Sequence, residues 1–130
     1  MTRPAYKILV ADDQNDLRKL VRMTLAVGNY IIVEAGNGLD AIALARQENP
    51  DLALLDIMMQ GMDGLQVCRA IREDKALRGM KVVLVTARGQ QSDIQQGEAA
   101  GADDYIVKPF SPSTLLLRVE QLLQSQEGGQ

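Results

Sequence analysis

Apolar residues cluster along this chain in five short, unbroken runs: Ile8-Leu9-Val10-Ala11, Ile31-Ile32-Val33, Leu52-Ala53-Leu54-Leu55, Val82-Val83-Leu84-Val85 and Tyr105-Ile106-Val107. Runs that do not alternate with polar residues fit strands covered on both faces, as in a parallel sheet. Strands are therefore expected at Lys7–Ala11, Ile31–Ala35, Leu52–Asp56, Lys81–Val85 and Asp104–Val107. Between them the period lengthens to that of a helix. Leu17, Leu20, Val21, Thr24 and Leu25 recur at helical spacing, with Gly28 as a stop. Leu39, Ile42, Ala43 and Ala45 follow Gly36-Asn37-Gly38, and Asn49-Pro50 ends that helix. Leu65, Cys68 and Ile71 mark a third helix from about Gly64 to Asp74. Ser111 caps a last helix with Pro112 in its first turn and Leu115, Leu116, Val119, Leu122 and Leu123 as its buried stripe. The stretch from Arg88 to Gly97 is expected to be helical toward Ala100, but it has few large apolar anchors. A helix with so little to bury is weakly held and is a candidate moving part.

Five strands alternating with five helices predict an α/β fold: a single doubly wound, five-stranded parallel sheet, flavodoxin-like (βα)5, with strand order 2-1-3-4-5. At 130 residues the chain is one domain, expected to run to about Gln124, with Ser125–Gln130 as a polar tail. That order makes the first, third, fourth and fifth strands neighbours. Their C-terminal tips carry Asp12-Asp13, Asp56, Thr86 and Lys108. The second strand lies at the edge, ends on Ala35-Gly36 and offers nothing chemical. Open α/β sheets hold their ligands at such strand tips, so these side chains should converge on one patch.

Composition narrows the chemistry. A formal net charge of −3 argues against a nucleic-acid or anionic-membrane surface. The single Cys68 permits no internal disulfide and fits a reducing compartment. No apolar run approaches the roughly 20 residues of a membrane span, and the first strand follows almost at once. A cytoplasmic protein is expected. The chain has no histidine. That removes Ser-His-Asp and Cys-His catalysis, imidazole zinc sites and any phosphohistidine within the chain.

Three carboxylates held together repel one another until a cation or raised pKa values relieve them. An all-oxygen site suits Mg²⁺ (or Mn²⁺), which also takes phosphate oxygens as ligands. A carboxylate can be a nucleophile toward phosphorus, so Asp56 is the candidate phosphoacceptor. Lys108 adds positive charge and Thr86 a hydroxyl donor, which is what phosphoryl transfer chiefly requires. Singly, each residue has a plainer reading: Asp12-Asp13 as a helix cap, Asp63-Gly64 as a turn, Thr86 as a strand end, Lys108 as a solvated charge. Their coincidence at successive strand tips favours the site. Cys68 and the Met58-Met59-Met62 cluster are assigned to packing.

With these residues in place the chain resembles the receiver domains of bacterial two-component response regulators, the CheY-like family, from Lys7 to about Gln124. The motifs that carry the resemblance are Asp12-Asp13, Asp56 with Met62-Asp63-Gly64 behind it, Thr86-Ala87, and Tyr105 ahead of Lys108-Pro109-Phe110. The resemblance implies that Asp56 is phosphorylated from the phosphohistidine of a sensor histidine kinase or histidine phosphotransfer protein. It implies that Asp13, Asp56 and the Met58 backbone carbonyl bind the metal ion, with Asp12 helping through water. Thr86 and Lys108 would hold the phosphoryl group, Tyr105 would report it by changing rotamer, and the Lys108–Pro109 peptide would be cis. The signal would leave through the face made by the fourth helix, fifth strand and fifth helix, toward an output domain or target protein. On that face, positions that commonly bridge paired receivers are Ile94 and Thr114. A monomer, or at most a weak phosphorylation-dependent dimer, is expected.

The C-terminal third, from Gly101-Ala102-Asp103-Asp104-Tyr105 through Leu116-Leu117-Arg118-Val119, is similar to receivers attached to winged-helix DNA-binding domains. The chain reads either as a stand-alone receiver or as a piece of a longer regulator. Gln60 stands where the family often has proline, so a looser loop after Asp56 is expected. Three rivals fit less well. An FMN binder would open its first loop with small phosphate donors and not with two acids. A haloacid-dehalogenase-type phosphatase would carry a second acid where Met58 stands. A receiver-like scaffold without chemistry would lack one of Asp13, Asp56, Thr86 or Lys108.

Overall fold

The computed structural model describes residues 5–87 and 91–128. Strands β1 (Tyr6–Ala11), β2 (Tyr30–Ala35), β3 (Leu52–Asp56), β4 (Lys81–Thr86) and β5 (Asp104–Val107) alternate with helices α1 (Asn15–Leu25), α2 (Gly38–Glu48), α3 (Gly64–Glu73), α4 (Gln91–Ala100) and α5 (Pro112–Gly128). Among the described residues the strands form one parallel sheet in the order β2-β1-β3-β4-β5. This is the doubly wound, flavodoxin-like arrangement. β3 is central and buried along its whole length, as its unbroken apolar run predicts. α5 continues to Gly128, into the stretch read as a polar tail; residues 129–130 lie outside the described residues, as do Arg88, Gly89 and Gln90 ahead of α4.

The sheet separates two cores. Leu9, Leu55, Val67, Ile71, Val82 and Leu84 pack on the side of α2, α3 and α4. Ile8, Leu25, Leu54, Val83, Leu115 and Val119 pack on the side of α1 and α5. Two helices turn differently from their sequence pattern. Leu20 is 45% exposed on α1, where Val21 and Leu25 are the buried pair. In α2 the buried side chains are Ala41 and Ala45, while Leu39 is 66% exposed. Small residues serve there because α2 lies close over β1 and β2, and a bulkier stripe would hold it off the sheet.

Ser111 caps α5 as expected, its hydroxyl accepting from the Thr114 amide at 3.1 Å. Asp63 does the same for α3 in a reciprocal box: its carboxylate accepts from the Gln66 amide, and the Gln66 side chain accepts from the Asp63 amide, both at 2.9 Å. α4 is the thinly anchored helix that its sequence suggests. Of its residues with described side chains, only Gly97 and Ala100 are buried. No helix among the described residues is long and apolar enough to cross a membrane.

Candidate functional site

The tips of β1, β3, β4 and β5 meet at one end of the sheet and bring Asp12, Asp13, Asp56, Thr86 and Lys108 there, with Met58 just beyond Asp56. Tyr105, the predicted switch residue, lies inside β5 and not at its tip. Asp12, Asp56 and Thr86 are 3%, 5% and 2% exposed, while Asp13 faces solvent. Carboxylate oxygens of Asp12, Asp13 and Asp56 lie within 4.8 Å of one another. The Lys108 ammonium sits between two of them, 3.2 Å from Asp12 Oδ2 and 3.2 Å from Asp56 Oδ2.

Local structure explains each placement. Asp56 is the last residue of β3, and the chain beyond it is held to β4 by the Ile57 amide donating to the Val85 carbonyl at 2.9 Å. The Met58 amide donates to Asp56 Oδ1 at 3.2 Å, while the Met58 side chain is exposed. Gly64 lets α3 begin directly against this turn: a Cβ there would lie 2.5 Å from the Asp56 carbonyl oxygen. Lys108 is tied to β4 by its own amide, which donates to the Thr86 carbonyl at 2.7 Å, and the Lys108–Pro109 peptide is cis, as the resemblance implies. Tyr105, paired in register with Leu84, is half-buried beneath α4.

Burial pushes the Asp56 carboxyl above the ordinary carboxylate range, and the charge of Asp12 pushes it further; Lys108 and the Met58 amide pull the other way. Desolvation and a like-charged neighbour outweigh a single lysine here because the lysine is shared between two acids. The cluster is short of positive charge. A hard divalent ion among three carboxylates would supply it, and an all-oxygen donor set fits Mg²⁺ or Mn²⁺.

Residues 8–120 match the response regulator receiver domain family. The chain belongs to that family. It is a receiver domain of two-component response regulators, a phosphoacceptor in phosphorylation-dependent signalling. It is 52% identical over 118 residues to the transcriptional regulatory protein ResD of Bacillus subtilis strain 168, covering 91% of this chain and 48% of that one. The receiver thus spans about half the length of the curated relatives it matches. Among solved structures it superimposes on the chemotaxis protein CheY4 of Vibrio cholerae with a TM-score of 0.86 at 30% identity, covering 90% of this chain and 98% of that one. On the BeF3-activated receiver domain of DrrB, a Thermotoga maritima OmpR/PhoB homologue, the TM-score is 0.83 at 32% identity, covering 92% and 98%. Receivers of this family generally bind Mg²⁺ through acidic residues, and the Asp12-Asp13-Asp56 cluster is of that kind.

Sequence reasoning missed two features around the site. The capping box at Asp63 was readable, because an Asx residue three positions ahead of glutamine is its signature. The other is chemical. β2 was expected to contribute nothing, yet its Glu34 pairs with Arg18 of α1 at 3.2 Å, and Arg18 Nη1 donates to the backbone carbonyl of Asp12 at 2.5 Å. No local pattern announces this, since the three groups come from separate segments.

Proposed function

We propose that Asp56 is the phosphoacceptor and takes its phosphoryl group from the phosphohistidine of a sensor histidine kinase or histidine phosphotransfer protein. The observation that carries this reading is the Lys108 ammonium held equidistant from Asp12 and Asp56 at buried strand tips. In the transfer, an Asp56 carboxylate oxygen forms the new bond to phosphorus while the donor's P–N bond breaks, and its electron pair returns to the imidazole. Lys108 offsets charge on the phosphoryl oxygens and Thr86 donates its hydroxyl to one of them. Little else is required, because phosphoryl transfer depends on positioning and charge neutralisation. Asp13, Asp56 and the Met58 backbone carbonyl would hold Mg²⁺ or Mn²⁺, with Asp12 acting through water. A bound ion supplies the positive charge that the three acids lack.

Output follows from repacking behind Thr86. Movement of Thr86 toward the phosphoryl group makes room for Tyr105 to turn inward. α4, which lies against Tyr105 at Gly97, shifts with it and alters the α4-β5-α5 face presented to an output domain or target protein. The domain assists its own phosphotransfer and dephosphorylation, without turning over a separate substrate. Intact-mass spectrometry with acetyl phosphate and Mg²⁺ tests the assignment. One added phosphoryl group is expected, absent with EDTA and absent in Asp56→Asn. Modification that survives in Asp56→Asn would overturn it.

A further inference from the structure

Every polar atom of Asp12 is held. Its amide donates to the Ala35 carbonyl at 3.1 Å, its Oδ1 accepts from the Gln14 amide at 2.8 Å, and its Oδ2 faces Lys108 at 3.2 Å. Its carbonyl accepts from Arg18 Nη1. Asp13 is the opposite case: among the described residues its exposed carboxylate has no hydrogen-bond or ion-pair partner. Its position depends on the backbone alone. The Asp12 carbonyl belongs to the same planar peptide unit as the Asp13 amide, so a group that grips that carbonyl also orients the Asp13 α-carbon.

We infer that Arg18, held by Glu34 of β2, is a positioning residue for the divalent-cation site, acting through the Asp12–Asp13 peptide. The inference rests on the metal site proposed above. Arg18 is well placed for the task. Its side chain is 17% exposed, its Nε donates to Glu34 Oε1 at 3.2 Å, and its Nη2 donates to Asn15 Oδ1 at 3.0 Å. The guanidinium is a rigid planar fork, so two partners on one side fix the direction in which the third nitrogen points. Arg22, on the next turn of α1 and half exposed, pairs with the other carboxylate oxygen, Glu34 Oε2, and leaves the Arg18 contacts to Glu34 Oε1, Asn15 and Asp12 in place. Thus β2 acts on the site twice, through Ala35 on the Asp12 amide and through Glu34 and Arg18 on the Asp12 carbonyl.

Two consequences of losing Arg18 have opposite signs. Removing a fixed positive charge beside an acidic cluster favours cation binding. Releasing the peptide that carries Asp13 disfavours it. Glu34 already neutralises much of the guanidinium charge, so the positional effect dominates. Groups that orient metal ligands typically matter about 10–100-fold in affinity.

The test is Mn²⁺ affinity of the folded protein, followed by electron paramagnetic resonance of the free ion, with circular dichroism fixing the folded fraction. Wild type is expected to bind one Mn²⁺, and Asp13→Asn to lose it. Failure there would count against the metal site itself, not against the role of Arg18. Given that baseline, Arg18→Ala is expected to bind about tenfold more weakly. Arg22→Ala, which touches Glu34 but not Asp12, should stay within about twofold of wild type. If Arg18→Ala does not fold, Glu34→Ala carries the test, since it frees Arg18 to swing from the carbonyl, and a weaker site is again expected. Unchanged or tighter binding in the folded Arg18 or Glu34 variant would overturn the inference. So would an equal loss in Arg22→Ala, which would make the effect one of general charge. A purely structural arginine would lower the melting temperature and leave the affinity of the folded fraction intact.

Discussion

Gly97 of α4 lies directly against the ring of Tyr105 on β5. A Cβ at position 97 would stand 3.4 Å from Tyr105 Cδ2 and 3.0 Å from Leu84 Cδ1. The thin helix and the proposed switch residue therefore share one tight contact. Alanine is better than glycine in a helix by about 0.5–1 kcal/mol. Leu84, however, is fully buried and cannot yield cheaply, and overpacking costs about 1–3 kcal/mol. Gly97→Ala should lower stability by about 1 kcal/mol in urea unfolding; an unchanged or raised midpoint would show that Leu84 and Tyr105 can give way.

Gly64 makes a stricter demand. Its nearest neighbours are backbone atoms, the Asp56 carbonyl oxygen at 2.5 Å and the Ile57 Cα at 2.9 Å from an added Cβ. Neither can swing aside as a side chain does. Gly64→Ala should destabilise the domain by about 2–3 kcal/mol. Because the displaced residue is the proposed acceptor, phosphorylation by acetyl phosphate should also slow at temperatures where the variant remains folded. A variant of normal stability and normal phosphorylation rate would refute the close packing.

The raised pKa of Asp56 gives a pH dependence of definite sign. Folding keeps this carboxyl protonated to a higher pH than the unfolded chain does, so the native state binds more protons and loses stability as pH rises through that window. The penalty is absent below the ordinary carboxylate range and complete above the raised native value. In EDTA, Asp56→Asn should melt higher than wild type at pH 7, and the difference should close as pH falls toward 4. A constant difference across that range would show that the ionised carboxylate is not the cause.

Arg118 Nη1 donates to both carboxylate oxygens of Asp104 at 2.8 Å within the same chain. Both groups are thereby engaged internally on the α4-β5-α5 face, and a bridge between two copies would have to displace this pair. Exposed ion pairs contribute only about 0–1 kcal/mol, so little holds a dimer through these charges alone. Sedimentation velocity should find a monomer without beryllofluoride, an acyl-phosphate mimic, and at most a weak dimer with it. Arg118→Glu should leave the unphosphorylated species unchanged; a tight dimer that dissociates in this variant would show that the pair does act between chains.

Much of the fold was legible because each strand is an apolar run ended by a polar residue, and a parallel sheet buries both faces of such a run. Strand limits came out within about a residue, and the strand order followed from the doubly wound rule. Helix faces were less legible. Leu20 and Leu39 satisfy helical spacing yet lie outside, because spacing defines a stripe without saying which edge of it meets the sheet. The capping box at Asp63 was missed although its pattern is local, since Asp63-Gly64 reads first as a turn.

The sequence by itself determined which side chain stands at which strand tip: Asp12-Asp13, Asp56, Thr86 and Lys108 follow from where each apolar run stops. That is one-dimensional information, and the topology rule turns it into a cluster. Only the tertiary structure decided how the members of the cluster differ. It buries Asp12 and leaves Asp13 in solvent, places Lys108 between acids 96 and 52 residues away, and recruits Glu34 of the edge strand through Arg18. These distinctions depend on distances between segments remote in the chain, where a shift of an ångström separates a hydrogen bond from no interaction, and no local pattern of residues records such a distance.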